Sequence, residues 1–248
     1  VTMQLFCLPH AGGSATAFLR WRPELPADVE VLPIELAGRG TRHDERPAID
    51  AASAGADAAM RILAQRRPGV PYAIWGHSMG SLVAYEALSS LRERTDDLPG
   101  HLIVSGRSAP HIPLKSNDIH KIANDDAFIA AVDTYGGGTK EALAEPSLRA
   151  LFLPVLRADF QLSETYAWAQ RAAVDCPITV VNGVDDLSID RPGVDAWREL
   201  AATGIDFRSA PGGHFFLYQN QDIVRSVVAD VSAALQRRRI ELIGKGTQ

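Results

Sequence analysis

Cysteine is nearly absent from this chain. There are 2 in 248 residues, Cys7 inside an apolar run and Cys176 just before Pro177. That is too few for a disulfide framework or a thiolate metal site, and it suits a reducing compartment, so a cytoplasmic location is expected. Basic excess is missing too: 25 Lys and Arg stand against 30 Asp and Glu, a net charge of −5. A chain without a basic stripe has little with which to neutralise phosphates, and no nucleic-acid partner is expected. No apolar run approaches the roughly 20 residues that span a bilayer, so no membrane partner is expected. The first residues lack the basic-then-apolar pattern of a secretory signal. Internal repeats and low-complexity tracts are absent. No metal-ligand spacing occurs, and no cofactor is called for. Nothing demands self-association, so a monomer is the default.

What is present is a hydrophobic content of 46% over 248 residues, enough to bury the core of one α/β domain covering 1–248. Short continuous apolar runs near 4–8, 29–35, 72–76, 101–105, 178–182 and 205–209 read as strands. Helical patterns fall near 15–20, 50–66, 79–93, 190–202 and 221–238. The alternation predicts a mostly parallel central sheet with helices on both faces, and a site at the carboxyl ends of the strands. One stretch, at about 110–170, carries no convincing strand. It reads as helices from Asp125 to Tyr135 and from Pro146 to about Trp168, with a break or kink at Pro154 and Gly136-Gly137-Gly138 as the joint between them. We read it as a helical lid. Its apolar residues include Phe128, Ile129, Val132, Tyr135, Leu151, Phe152, Val155, Leu156, Phe160, Leu162, Tyr166 and Trp168; most are expected to pack the lid onto the core and a few to line an acyl pocket. Arg237-Arg238-Arg239 reads as a solvated helix end.

The chemistry concentrates in Gly76-His77-Ser78-Met79-Gly80, which follows the apolar run Tyr72-Ala73-Ile74-Trp75 and opens a helical pattern. A serine flanked by small residues between strand and helix is a nucleophile elbow, a turn so sharp that larger neighbours would collide. A serine hydroxyl needs a base, and the base needs an orienting acid, in the chain order Ser, Asp or Glu, His. His214, in Gly212-Gly213-His214, is the one histidine past residue 120. The acid follows the apolar run Ile178 to Val181; Asp186, three residues after Gly183, is favoured over Asp185, and Asp190 reads as a helix N-cap. His77 should point away from the reaction, and His43, His101, His111 and His120 read as surface or loop residues. The oxyanion hole should comprise the backbone N–H of Met79, after the nucleophile, and that of Ala11 in the loop Pro9-His10-Ala11-Gly12-Gly13-Ser14. Losing one such donor typically costs about 3–4 kcal/mol of transition-state stabilisation.

Six segments together resemble the type II, or editing, thioesterases that accompany polyketide synthases and nonribosomal peptide synthetases: Pro9-His10-Ala11-Gly12-Gly13, Gly38-Arg39-Gly40, the elbow itself, Ser105-Gly106-Arg107-Ser108-Ala109-Pro110, Arg157-Ala158-Asp159-Phe160 and Gly212-Gly213-His214-Phe215-Phe216. The resemblance runs nearly end to end. It implies an α/β-hydrolase fold with a helical lid and a triad of Ser78, Asp186 and His214. It implies hydrolysis of acyl groups from the phosphopantetheine thiol of acyl or peptidyl carrier proteins, with small acyl thioesters as substrates and the pantetheine belonging to the partner. Carrier proteins are usually acidic, so any attraction must be local; Arg39 and Arg42, with Arg20 and Arg22, are the candidate contacts. A carboxylesterase or lipase acting on free esters, an acyltransferase, and a non-catalytic carrier-binding protein remain as alternatives, because one triad serves several chemistries.

Overall fold

Apolar runs without polar alternation demand burial on both faces, and the strands meet that demand. A computed structural model of the chain describes residues 1–114 and 118–245. Strands β1 (Met3–Leu8), β2 (Val29–Pro33), β3 (Tyr72–His77), β4 (His101–Ser105), β5 (Ile178–Gly183) and β6 (Ile205–Ala210) form one sheet in the order β2-β1-β3-β4-β5-β6. Every neighbouring pair is parallel. Successive side chains alternate between two cores. Phe6, Leu8, Ile74, Val104 and Val180 pack against helices α1 (Ala51–Gln65) and α2 (Met79–Arg92). Leu5, Cys7, Trp75, Ile103 and Val181 face the opposite side, where the segment Ala15–Glu24 and the last helix cover them.

Between β4 and β5 lie α3 (Asp125–Asp133), α4 (Thr139–Ala142) and α5 (Pro146–Glu164); α6 (Arg191–Asp195), α7 (Phe216–Gln219) and α8 (Gln221–Lys245) follow. The three helices of the insertion share a small core of their own, built on Phe128, Val132, Leu143, Leu153, Leu156 and Phe160. No helix among the described residues is long and apolar enough to cross a membrane.

The sheet explains where a site can form. From β1 the chain steps outward to β2, then returns to place β3 on the other side of β1. Adjacent strands β1 and β3 therefore end side by side, Leu8 opposite Gly76, with their following loops facing one crevice. Because the sheet is parallel, the loops after β5 and β6 open on the same edge.

Several boundaries differ from expectation. Helix α5 runs unbroken through Pro154 and stops at Glu164, not near Trp168. Pro154 and Ala150 are both exposed, so the carbonyl deprived of a partner by the proline ring faces water, while Val155, Leu156 and Asp159 hold the opposite face down. The short α4 was not foreseen, the 190–202 pattern divides into α6 and a 3-10 turn over Ala196–Leu200, and α8 continues to Lys245. His101 is not a surface residue: it is buried in β4, bonded through Nε2 to Thr179 Oγ1 at 2.8 Å. Cys7 and Cys176 are free and buried, and burial pushes the Cys176 thiol up to about 12.

Candidate active site

The turn after β3 forces Ser78 into φ 54°, ψ −120°, a region costly for any residue with a side chain, of the order of 1–3 kcal/mol. Its amide donates to Ser105 O at 2.7 Å, and the buried Ser81 hydroxyl donates to Gly76 O at 2.8 Å behind the turn. A Cβ on Gly76 would lie 2.1 Å from the Gly80 carbonyl oxygen, and one on Gly80 would lie 2.2 Å from that of Leu8. Glycine at both positions is thus a steric requirement, and the strain is maintained by the packing around it.

His214, in the loop after β6, approaches this hydroxyl: Nε2 is 2.8 Å from Ser78 Oγ. Its other nitrogen, Nδ1, is 2.8 Å from Asp186 Oδ2. A carboxylate can only accept, so Nδ1 carries the proton and Nε2 presents its lone pair to the serine. Asp186 is further bonded by Ser188, whose amide donates to Oδ1 at 3.0 Å and whose hydroxyl donates to the same oxygen at 2.5 Å. Burial opposes ionisation of Asp186, but the bonds from His214 and Ser188 outweigh it and hold its pKa below the usual value. The two competing acids lie elsewhere. Asp185 is exposed and accepts the Gly212 amide at 3.3 Å, while Asp190 caps α6 by accepting the Gly193 amide at 2.8 Å.

Met79 occupies the first turn of α2, where a helix leaves amides unsatisfied. Across the crevice Ala11 follows β1. Among the described residues neither amide is bonded to a protein acceptor, so both remain available to an oxyanion. The rest of that loop is firmly tied. Gly12 N–H donates to Asp159 Oδ2 at 2.7 Å, and Glu35 accepts from Ser14 Oγ at 2.9 Å and Ala15 N at 3.0 Å.

Above these groups lies a cavity of about 1100 Å³ between sheet edge and insertion. Ser78, Met79, Ala11 and His214 line its floor, and Val132, Tyr135, Phe152, Leu156 and Phe160 its roof. Other residues of the insertion have different work. Leu162 belongs to the main core, Tyr166 donates to Glu86 Oε1 at 2.6 Å, and Leu151 is exposed. Arg107 also lines the cavity; it is buried, donates to Ser163 Oγ at 2.6 Å, and is pushed down to about 10 by burial.

His77 turns to Ser105 Oγ, 3.0 Å from its Nδ1, and its ring packs 5.3 Å from that of His214. Burial, then the neighbouring His214 and His10, lowers its pKa well below the ordinary histidine value, so it stays neutral beneath the base. His10, lowered to about 3 mainly by burial, bonds Tyr218 Oη at 2.9 Å. His43 is exposed; His111 and His120 lie in the insertion, facing Glu199 at 3.1 Å and Glu164 at 2.5 Å.

Arg39 and Arg42 are not surface contacts. Arg39 forms a buried pair with Asp159, and Arg42 is drawn inward by Asp57 and Glu45. The local pattern Gly38-Arg39-Gly40 does not reveal that each guanidinium has a carboxylate waiting elsewhere in the chain. Arg42→Glu is expected to lower the melting temperature by roughly 5 °C, without selecting between carrier-bound and free substrates; thermal melts and paired assays check this. Arg20 and Arg22 remain exposed, and Arg20 lines the cavity mouth beside Tyr218.

Comparison with known proteins agrees with this geometry. Residues 3–235 match the family model described as the thioesterase domain. The chain is 35% identical over 219 residues to the gramicidin S biosynthesis protein GrsT of Aneurinibacillus migulanus, covering 88% of this chain and 84% of that one. It superposes on RedJ, a thioesterase from the prodiginine biosynthetic pathway in Streptomyces coelicolor, with a TM-score of 0.82 and 35% identity, covering 94% of this chain and 85% of that one. For YbtT, a type II thioesterase from the yersiniabactin pathway, the TM-score is 0.85 at 30% identity, with 94% of both chains covered.

Proposed function

This chain belongs to the thioesterase family, and we propose that, as one of its type II members, it hydrolyses acyl groups from the phosphopantetheine thiol of carrier proteins in a polyketide or nonribosomal peptide pathway. The observation that carries this reading is the relay from Asp186 through His214 to Ser78, opening directly beneath a covered cavity large enough for an acyl-pantetheine end. Ser78 Oγ attacks the thioester carbonyl while His214 Nε2 takes its proton. Asp186 holds the imidazole and stabilises its charged form. The Ala11 and Met79 amides receive the oxyanion. His214 then returns the proton to the departing thiol, leaving acyl-Ser78. Water, deprotonated by the same imidazole, attacks the acyl-serine, and the free acid departs with the serine restored. Stalled or aberrant acyl units would be cleared in this way.

The apolar roof supports reading α3 to α5 as a lid that excludes water from the acyl-serine until hydrolysis. We take the protein to work as one such domain, as a monomer in the cytoplasm. The cavity also holds the buried Arg107, whose neighbours Ser163 and Tyr135 make that wall polar, which suits acyl groups bearing oxygen as well as plain short chains.

The testing experiment measures acid release from carrier proteins loaded with short acyl groups, alongside acyl-pantetheine mimics and simple esters. Release is expected to be fastest from carriers. Turnover confined to free esters would overturn the reading in favour of an esterase; transfer to an added alcohol or amine would favour an acyltransferase. Arg20→Glu, at the cavity mouth, is expected to raise KM for acyl-carriers by roughly tenfold while sparing acyl-pantetheine, since only the carrier brings an acidic surface. Equal losses on both substrates would assign Arg20 to the cavity itself.

A further inference from the structure

The insertion does more than cover the cavity. Asp159, on α5, is 1% exposed and Arg39, in the loop after β2, is 5% exposed. Their pairing is bidentate: Nη1 donates to Oδ2 and Nη2 to Oδ1, each at 2.6 Å. The same Oδ2 accepts the Gly12 amide at 2.7 Å, and the same Nη1 donates to Gly13 O at 3.2 Å. One buried ion pair therefore grips an N–H and a C=O of the two residues that follow Ala11. One turn earlier on α5, Leu156 presses on the same place: a Cβ on Gly12 would lie 2.5 Å from its Cδ2, and Gly12 has φ +74°. Glycine is required there both by the backbone and by the helix against it.

From this geometry we propose that Asp159, oriented by Arg39, is a positioning residue that seats the oxyanion loop, so that helix α5 of the insertion sets where the Ala11 amide points. The inference rests on the proposed serine hydrolase mechanism. A buried ion pair is a poor way to gain stability, since well-packed apolar residues serve as well or better. What it supplies is direction. A charged carboxylate, itself fixed at both oxygens, holds the Gly12 amide in a short charge-assisted bond. Rotation of the Gly12 peptide would carry the Ala11 segment with it, and an oxyanion donor works only within a few tenths of an ångström of its ideal distance. The loop has two other kinds of tie: Gly13 N–H donates to His10 O at 2.9 Å, closing the turn whose corners are Ala11 and Gly12, and Glu35 holds Ser14 and Ala15 on the far side. Among the described residues the Gly12 amide itself, and so the tilt of that turn, is held by Asp159 on α5.

The test compares Asp159→Ala, Asp159→Asn and Arg39→Lys with the parent. It measures kcat and KM on an acyl-pantetheine and on a simple ester, and binding of two analogues. A trifluoromethyl ketone adds reversibly to Ser78 and places an oxyanion in the hole; a thioether analogue of the substrate binds without reacting. Asp159→Ala is expected to lower kcat by roughly 10–100-fold, with KM little changed. In each variant affinity for the trifluoromethyl ketone should fall by the factor by which kcat falls, while affinity for the thioether stays within twofold. Arg39→Lys, which keeps a charge on Asp159 but loses the fork, should show the smallest loss and provides the readout if Asp159→Ala does not fold. Equal weakening of both analogues, or lowered melting temperature with unchanged kcat, would overturn the proposal and leave the pair as a packing tie. Because the ester and the ketone need no carrier, this outcome is independent of whether carrier-bound thioesters prove to be the substrate.

Discussion

Ser78→Ala is expected to lower turnover by on the order of 10⁶, read as acid release from an acyl-carrier or acyl-pantetheine. The magnitude follows from the relay. With Oγ gone, His214 has no proton to take and Asp186 nothing to orient, so the three residues fail as a unit. The oxyanion amides of Ala11 and Met79 would still bind a tetrahedral species formed by attacking water, which leaves a small residue of catalysis. Stability should hardly move, since alanine occupies the same strained backbone and, among the described residues, Ser78 Oγ bonds only to His214. Ser78→Gly separates strain from chemistry. It would be equally inactive, yet more stable by about 1 kcal/mol, because glycine adopts φ 54° without penalty. Urea titration of the three proteins reads that difference. A fully active Ser78→Ala protein would instead mean that acid release does not pass through an acyl-Ser78 intermediate.

Asp186→Asn is expected to cost about 10⁴ in kcat with the fold intact. An asparagine amide can donate to Nδ1, which would hold the imidazole in the tautomer whose Nε2 carries a proton and cannot accept one from Ser78. The substitution also has a pH signature. The folded pKa of Asp186 lies below its unfolded value of about 3.9, because His214 and Ser188 favour the carboxylate more than burial disfavours it. Its ionisation thus contributes stability that is fully present above that unfolded value and is lost as pH falls through the folded one. The stability difference between parent and Asp186→Asn should be constant from pH 7 to about 5 and shrink on further acidification. Denaturant melts at stepped pH check the sign; a difference that grows at low pH would mean the carboxyl is protonated in the folded state.

The parts of the site most legible in the chain were those whose chemistry is local. Gly76, Ser78 and Gly80 announce a sharp turn because the collision Gly76 avoids, with the Gly80 carbonyl, is between near neighbours, although the one Gly80 avoids is with Leu8 of β1. Asp186 stood out from Asp185 by its distance from Gly183, and the geometry turns one toward His214 and the other toward the Gly212 backbone. Ser188 is not legible in the sequence because a serine two residues after an acid has no distinctive pattern. Arg39 and Arg42 depart from expectation for a related reason: an arginine after a strand looks solvated until its carboxylate is known, and for Arg39 that partner is Asp159, distant in the chain. Pro154 does not break α5, because the carbonyl it frees lies on the exposed face of the helix.

The amino-acid sequence by itself determined the succession of the six strands and the longer helices, the parallel sheet with helices on both faces, and the placing of Ser78, Asp186 and His214 at strand ends. These follow from apolar runs, glycine positions and chain order, which act over a few residues at a time. Only the tertiary structure decided which charges are buried in pairs, which residues of the insertion face the cavity, and that α5 reaches the loop after β1 through Asp159. Those outcomes depend on desolvation, and whether a charge loses its water is settled by what packs against it from distant parts of the chain.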